Sequence, residues 1–244
     1  MIKLIIFDVD GVLRDSGTAG LEGMRRGFKV VGFEFPFTIK EYRLIRNTGI
    51  YNRGIKCISL MYAVLKFGLN FSDLVKNNIE NNFDKVVEKL TEEDLEKVEK
   101  IKGVYKDFFY SEEAGDFVEF FPETEEALDK LRKFKLAIWT NSSVESVKRD
   151  LKGLKRFSYI LGGEDTGIKK PSGEGILLVC KELGFKPSEA IYVGDAVVDV
   201  RSAKLAGCKS VIICRSKLLE TFLKEEKPDY MVKDLTECVK KLEC

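Results

Sequence analysis

The chain of 244 residues contains no histidine, and this single absence removes several classes of active site. Histidine is the usual general base near neutral pH, the central member of the Ser-His-Asp triad and a frequent metal ligand. Serine hydrolases of the triad type and zinc sites that need histidine are therefore excluded. Acid–base chemistry must instead use carboxylates, lysine, tyrosine or cysteine.

Further absences indicate where the protein works and what it does not bind. None of the six cysteines forms a CxxC pair, and Lys plus Arg (41) almost equals Asp plus Glu (40), without the basic excess of a polyanion binder. No apolar stretch approaches the ~20 residues that cross a bilayer, and Asp8 interrupts the N-terminal apolar run too early for a signal peptide. We therefore expect a cytoplasmic protein with reduced thiols that binds neither nucleic acid nor membrane.

The opening segment, MIKLIIFDVDGVL, is the most informative part of the chain. Residues 4–7 are apolar without alternation, which is typical of a strand buried on both faces of a sheet. Asp8 and Asp10 follow it, at the edge where open α/β sheets bind ligands. Crowded carboxylates repel one another unless a cation lies between them. The segment predicts a metal-dependent site, with an ordinary Asp-Gly turn after a strand as the alternative.

The pattern of apolar residues changes along the chain. Apolar residues recur at helical spacing from about residue 16 to residue 117, and from there onward short strands alternate with helices. Such alternation predicts right-handed βαβ units and a parallel sheet. We therefore expect an α/β core built from residues 1–15 and 118–244, with an all-helical domain, residues 16–117, inserted after the first strand.

Three more polar clusters occur near predicted strand ends. Thr140, Asn141 and Ser142 follow one strand, GDAVVD (residues 194–199) follows another, and Lys170-Pro171 lies between them. Clusters at the carboxyl ends of parallel strands converge on one crevice. This context makes the simple-turn alternative for the first aspartates improbable.

The residue types in these clusters indicate the chemistry. Asp8, Asp10 and Asp195 supply hard oxygen ligands, which suit Mg²⁺. Because Mg²⁺ is commonly held by one or two carboxylates together with substrate phosphate and water, we expect a phosphate ester as substrate. Thr140 offers a hydroxyl, and Asn141 lies near a helix start, where anions bind.

Two further residue types are consistent with a phosphate ester as substrate. Lys170 brings positive charge to an oxyanion and to any nucleophilic carboxylate beside it. Gly11 and Gly194 allow the backbone to approach a ligand closely.

These motifs resemble those of a known family. DVDGVL (8–13), TNS (140–142), Lys170-Pro171 and GDAVVD (194–199) are similar, in order and spacing, to the four motifs of the haloacid dehalogenase superfamily. The helical insert after the first motif resembles the cap of its phosphoglycolate phosphatase and β-phosphoglucomutase branch. The resemblance implies a flavodoxin/Rossmann-like three-layer core with a central parallel sheet.

The resemblance also implies roles for individual residues. Asp8 would be the nucleophile that forms an aspartyl-phosphate. Asp10 would be the general acid and then the base, and its backbone carbonyl would bind Mg²⁺. Thr140 would hold a phosphoryl oxygen. Lys170 would neutralise charge on Asp8 and the phosphoryl group.

The remaining site residues are implied in the same way. Asp195 would bind Mg²⁺ directly, and Asp199 would bind it or a coordinated water. Lys169 precedes the motif lysine, so the catalytic lysine is either of the two; we favour Lys170, which directly precedes the proline. In the helical insert, Arg46 and Arg53 flank a break between two helices and are candidates to contact a second anionic group of the substrate, or else are ordinary surface arginines.

The sequence therefore predicts a Mg²⁺-dependent phosphatase that acts on a small phosphorylated metabolite, with phosphoglycolate-like or sugar phosphates as first candidates. The same motifs serve a phosphomutase, which would return the phosphoryl group to an intermediate rather than to water. A binding protein without catalysis on this fold is the third hypothesis, although Asp8, Asp10, Lys170 and Asp195 are all present. The sequence does not indicate an oligomeric state.

Overall fold

The computed structural model describes residues 1–48, 54–75, 79–151 and 154–243. Within these residues a six-stranded parallel sheet has the strand order β5-β4-β1-β6-β7-β8, and β2 pairs with β3 in a short antiparallel ribbon. The strands are β1 (Leu4–Phe7), β2 (Arg14–Asp15), β3 (Glu119–Phe120), β4 (Lys135–Thr140), β5 (Tyr159–Gly162), β6 (Ala190–Gly194), β7 (Lys209–Ile213) and β8 (Tyr230–Val232).

Helices occupy the insert and connect the strands of the sheet. In the insert they are α1 (Gly17–Val30), α2 (Ile39–Asn47), α3 (Gly54–Lys66), α4 (Phe71–Leu74), α5 (Ile79–Val87) and α6 (Glu92–Phe109). The others are α7 (Thr124–Lys130), α8 (Val144–Asp150), α9 (Gly163–Thr166), α10 (Glu174–Leu183), α11 (Val197–Ala206), α12 (Lys217–Glu225) and α13 (Leu235–Glu243).

Strand β1 lies at the centre of the sheet because its residues are apolar on both sides. Phe7 pairs with Ile138 of β4 on one side and with Val193 of β6 on the other. Every residue of β1 is fully buried. A strand that must be covered on both faces belongs in the interior of a parallel sheet rather than at its edge.

The two faces of the sheet are covered by different helices. Ile5 and Phe7 of β1 pack in a core with residues of α7, α8 and α13, whereas Leu4 and Ile6 pack in a second core with residues of α10 and α11. Alternate side chains of a strand point to opposite faces, so one sheet carries two cores. The predicted α/β fold, with a central parallel sheet between helical layers, is confirmed.

The chain divides into two compact units. One consists of Met1–Ser16 and Val118–Cys244, and the other of Gly17–Phe117. The second unit has its own apolar interior, in which α1 packs against α6, and its described secondary structure is helical. Aromatic rings such as Phe28, Phe35 and Phe37 contact one another within it. These aromatic residues therefore serve packing.

Asp94 is a buried carboxylate that organises the start of α6. Its side chain accepts hydrogen bonds from the Thr91 backbone N–H at 2.8 Å and from the Tyr62 hydroxyl at 3.1 Å, and it pairs with Lys66. The Asp94 N–H in turn donates to the Thr91 hydroxyl, which completes a capping box. Burial acts to raise the pKa of Asp94, but the Lys66 and Thr91 contacts outweigh it and lower that pKa below its ordinary value.

We expect Asp94→Ala to lower the free energy of unfolding by about 2 kcal/mol, since it removes the cap and leaves the buried Tyr62 hydroxyl without its acceptor. Because the folded-state pKa is lowered, the carboxylate contributes stability above its unfolded pKa and loses it as the pH falls through the folded value. Urea titrations at pH 7 and pH 3 measure both effects. Glu93→Ala, at an exposed side chain of the same helix, is the matched control; equal losses in the two variants would contradict the prediction.

The cysteines of the described residues carry free thiols. Cys57, Cys180, Cys208 and Cys238 are buried and Cys214 is half-buried, whereas Cys244 lies outside the described residues. In the part of the chain that the structure describes, no helix combines the length and hydropathy needed to cross a bilayer.

Candidate active site

The order of the strands brings three sequence motifs together at the carboxyl-terminal ends of neighbouring strands. Strands β4, β1 and β6 are neighbours, and all three are parallel. Their carboxyl ends therefore place Asp8, Thr140 and Asp195 side by side. The Asp8 N–H still donates to the Val193 carbonyl at 2.8 Å, so Asp8 is held by the last rung of the sheet.

Lys170 links two of the aspartates at this edge. Its ammonium nitrogen Nζ lies 2.7 Å from Asp8 Oδ2 and 2.7 Å from Asp199 Oδ1. All three side chains are buried. Because an unpaired buried charge is strongly disfavoured, the lysine and the two carboxylates stabilise one another in this position.

The pKa values in this cluster follow from burial and from the neighbouring charges. Burial raises the pKa of Asp8 from 3.8 to about 6; Lys170 acts to lower it, and Asp199 and Asp10 act to raise it. Burial acts to lower the pKa of Lys170, but Asp199 and Asp8 outweigh it and raise that pKa. The Lys170 side chain is therefore protonated and positively charged.

Asp8, Asp195 and Asp199 form an acidic group that fits a cation. One carboxylate oxygen from each lies within 4.8 Å of the others. The backbone of Gly11 lies directly against Asp195. Its φ is +82°, and a Cβ there would lie 2.0 Å from Asp195 Oδ2. Three hard oxygen donors beside a backbone cradle suit a divalent cation such as Mg²⁺.

Asp199 also fixes the loop that carries Asp195. Its Oδ2 accepts hydrogen bonds from the backbone N–H groups of Asp195 (3.0 Å) and Ala196 (2.9 Å). A Cβ at Gly194 would lie 2.4 Å from Asp199 Cγ, so only glycine fits there. With one oxygen on the loop and the other facing Lys170, Asp199 orients the site from the first turn of α11.

The Asp10 carboxylate is not a member of this acidic group. Its Oδ1 accepts from Arg14 Nε at 2.8 Å, and its Oδ2 accepts from the Ser142 hydroxyl at 2.9 Å. Burial acts to raise the pKa of Asp10, but Arg14 and hydrogen bonds from Ser16 and Ser142 lower it to about 2. The side chain is thus held by donors from two segments of the chain.

The second motif shapes the other wall of the site. Thr140 is buried, and its hydroxyl accepts from the Ser142 N–H at 3.2 Å. The Asn141 carboxamide oxygen accepts from the Lys170 N–H at 2.9 Å. Asn141 therefore ties the loop after β4 to the segment that carries the lysine, a contact that the sequence analysis did not anticipate.

Sequence reasoning assigned no role to several residues of this region. Arg14 contacts Asp10, as does Ser142 of the second motif, and Arg215 reaches the Gly11 carbonyl at 3.4 Å. Beneath the lysine, the Trp139 and Tyr192 rings lie 5.7 Å and 5.3 Å from its Nζ. The tryptophan fits because position 175 is glycine, where a Cβ would lie 2.0 Å from the indole. In the sequence, only proximity to a motif marks Arg14, Trp139 and Tyr192.

Lys169 does not share the contacts of Lys170. Lys169 pairs with Glu164, whereas Lys170 faces Asp8. Arg46 lies in the helical unit. Burial raises the pKa values of Tyr42 and Cys57, and the nearby charge of Arg46 acts in the opposite direction. Arg53 lies outside the described residues, so the substrate-contacting role of both arginines stays a prediction.

Comparison with known proteins identifies the family. The model of the haloacid dehalogenase-like hydrolases matches residues 2–207. The chain belongs to this family. The hydrolase is also similar to curated relatives, among them the phosphoglycolate phosphatases of Salmonella typhimurium (35% identity) and Escherichia coli K12 (33% identity). Both matches extend over 127 residues, which are 49% of this chain and 50% of each relative. The hydrolase thus aligns with about half the length of these relatives.

Solved structures resemble the hydrolase over nearly its whole length. A subfamily IA hydrolase of this superfamily from Geobacter sulfurreducens has a TM-score of 0.62 at 21% identity and covers 99% of this chain and 100% of its own. A predicted phosphatase from Clostridium acetobutylicum has a TM-score of 0.72 at 18% identity and covers 100% and 99%. At such low identity these structures show the fold.

Proposed function

We propose that the hydrolase is a Mg²⁺-dependent phosphatase that cleaves small phosphomonoesters through an aspartyl-phosphate. The observation that carries the proposal is the buried contact between Asp8 and Lys170, 2.7 Å apart, at the shared end of three strands. The names of the phosphoglycolate phosphatase relatives support phosphoglycolate as the first substrate to test. The dehalogenases of the superfamily lack an acid at the position of Asp10.

In the proposed reaction Asp8 attacks phosphorus, and the bond from phosphorus to the ester oxygen breaks. Asp10, in its protonated form, gives its proton to the departing oxygen. Asp10 then takes a proton from water as the water oxygen bonds to phosphorus and the bond to Asp8 breaks, which releases inorganic phosphate and restores Asp10. Lys170 stabilises the negative charge on Asp8 and on the phosphoryl oxygens throughout.

The phosphoryl group has further partners in this proposal. Thr140 contributes its hydroxyl, and the backbone around Gly11 and Asn141 lines the place where its oxygens lie. Asp8, Asp195 and the backbone carbonyl of Asp10 would hold Mg²⁺, and Asp199 would bind the ion or a water coordinated to it. When bound, the ion would neutralise negative charge at phosphorus. Asp8, Asp195 and Asp199 are the described residues whose oxygens approach closely enough for such a site.

The helical residues 16–117 act, in this proposal, as a cap that selects the substrate, while residues 1–15 and 118–244 perform the chemistry. The core motifs recognise only a phosphoryl group and therefore suit many phosphomonoesters. Discrimination between them requires contacts to the rest of the substrate.

Phosphate release from a panel of esters tests the proposal. We expect the full chain with Mg²⁺ to release phosphate from phosphoglycolate, sugar phosphates or p-nitrophenyl phosphate, and a chelator to lower the rate at least about 100-fold, since a bound metal supplies several kcal/mol of stabilisation. Adding back Mg²⁺ should restore the rate. Release that persists fully in chelator would contradict the metal assignment.

The same panel separates the alternatives. Absence of release with all esters, together with isomerisation of a sugar phosphate that requires its bisphosphate, would identify a phosphomutase. Absence of both reactions, together with binding of phosphate esters, would identify a binding protein. Either outcome would overturn the proposed hydrolysis.

A further inference from the structure

Arg14 is a fully buried arginine that connects Asp10 to a distant helix. Its Nε donates to Asp10 Oδ1 at 2.8 Å, and its Nη1 pairs with the Asp150 carboxylate and donates to the Ser146 carbonyl at 3.0 Å. Both Ser146 and Asp150 belong to α8, which follows the loop of the second motif. One side chain therefore joins the proposed acid–base group to the helix behind it.

The burial of Arg14 makes a purely structural role a poor explanation. Taking a guanidinium and its carboxylates out of water is costly, and apolar residues of similar volume often stabilise a core as well or better. One donor atom, Nη2, is buried without a hydrogen-bond partner among the described residues. Unpaired buried donors are rare in proteins, and each one calls for an explanation.

The contacts of Asp10 show what the arginine accomplishes. Arg14 holds one carboxylate oxygen, and the Ser142 hydroxyl holds the other at 2.9 Å. Donors from two segments of the chain, Ser16 among them, fix both the position of the carboxylate and its rotation. Proton transfer needs its partners within hydrogen-bond reach, and a displacement of 1 Å can cost about 100-fold in rate.

We propose that Arg14 is a positioning residue that holds the Asp10 carboxylate in place for proton transfer, with Asp150 as its anchor. The inference rests on the proposed phosphatase function, in which Asp10 first gives a proton to the departing ester oxygen and later takes one from the attacking water. Arg14 itself neither gives nor accepts a proton. It acts through Asp10.

The leaving group of the substrate gives a direct test. p-Nitrophenolate departs without a proton, so the first step with p-nitrophenyl phosphate does not need Asp10, whereas hydrolysis of the aspartyl-phosphate does. In Arg14→Met we expect a rapid release of one nitrophenolate per active site followed by turnover that is about 100-fold slower than in the unmodified protein. With phosphoglycolate, kcat should fall by a similar factor with little change in KM and no rapid phase.

Two variants control for effects on folding. Arg149→Met removes a neighbouring guanidinium that contacts Asp150 at 2.5 Å but is not a partner of Asp10, and its kcat should stay within a factor of about two. Arg14→Lys keeps a cation at the same place and should regain part of the lost kcat. If Arg14→Met does not fold, the double variant Arg14→Met/Asp150→Asn removes both buried charges, and the same rapid phase is expected.

The outcomes distinguish a failure of the role proposed for Arg14 from a failure of the proposed phosphatase function. Unchanged kcat in Arg14→Met or in the double variant, while Asp8→Asn is inactive, would overturn the role of Arg14 and leave the phosphatase proposal standing. Equal losses in Arg14→Met and Arg149→Met, without a rapid phase, would also overturn it. Failure of the unmodified chain to release phosphate, or full activity of Asp8→Asn, would instead refute the proposed function.

Discussion

Asp8→Asn is expected to lower kcat by more than about 10⁴-fold, because the carboxamide cannot form the phosphoenzyme. The fold should survive the change. The carboxamide is nearly the same size as the carboxylate that it replaces, and the backbone N–H at this position can still donate to the Val193 carbonyl. Rapid quenching with radiolabelled substrate should trap label on the unmodified protein and none on Asp8→Asn.

The same substitution should stabilise the metal-free protein at neutral pH. Burial raises the folded-state pKa of Asp8 from 3.8 to about 6, so the contribution of this group favours folding at acidic pH and is lost as the pH rises through 6. Removing the charge should therefore raise the unfolding free energy at pH 7.5 by about 2 kcal/mol, with the difference vanishing near pH 4.

A surface carboxylate provides the control for both measurements. Asp129, on α7, is largely exposed and pairs with Arg156. Asp129→Asn should change neither kcat nor stability beyond about 0.5 kcal/mol. Phosphate release by Asp8→Asn at the rate of the unmodified protein would contradict the assignment of Asp8. A decrease in the unfolding free energy of Asp8→Asn large enough to disrupt the core would contradict it as well.

Lys170→Met should have the second-largest effect, and it should reduce both activity and stability. The lysine compensates two buried carboxylates, and removal of one partner from a buried pair costs about 3 kcal/mol or more. Loss of a charge-stabilising donor should lower kcat/KM by about 10²- to 10³-fold. Because Asp8 and Asp199 then lack their cation, added Mg²⁺ should raise Tm more in the variant than in the unmodified protein.

The adjacent lysine is a matched control. Lys169 pairs with Glu164 at a half-buried position, so Lys169→Met should leave kcat/KM unchanged and cost less than about 1 kcal/mol. Thermal melts with and without Mg²⁺, combined with steady-state kinetics, measure all of these effects. Similar losses in the two variants would show that the choice of Lys170 as the functional lysine is wrong.

The sequence predicted the elements of the α/β core closely because each carries a local signal. The alternation of short strands and helices expected after residue 117 is present, for example in β6 (Ala190–Gly194), α11 (Val197–Ala206) and β7 (Lys209–Ile213). The two-residue ribbon of β2 and β3 was not predicted, since so short a strand has no periodicity.

The site divides in the same way between local and distant information. Asp8 and Asp195 follow apolar strands, so their place at the sheet edge is visible in the sequence. The pair between Arg14 and Asp150 joins residues 136 positions apart, and nothing local marks either member. Asn141 was expected to face an anion, yet its carboxamide oxygen is engaged by the Lys170 backbone, a contact that depends on the folded loop.

Trp139 is the only tryptophan in the chain, and its ring lies 5.7 Å from the Lys170 ammonium. Selective excitation of indole emission therefore observes one place in the molecule, directly under the lysine. The intrinsic fluorescence of the unlabelled protein is therefore an optical probe of the candidate active site. Stopped-flow traces of that emission would resolve events at the lysine in real time without an attached dye.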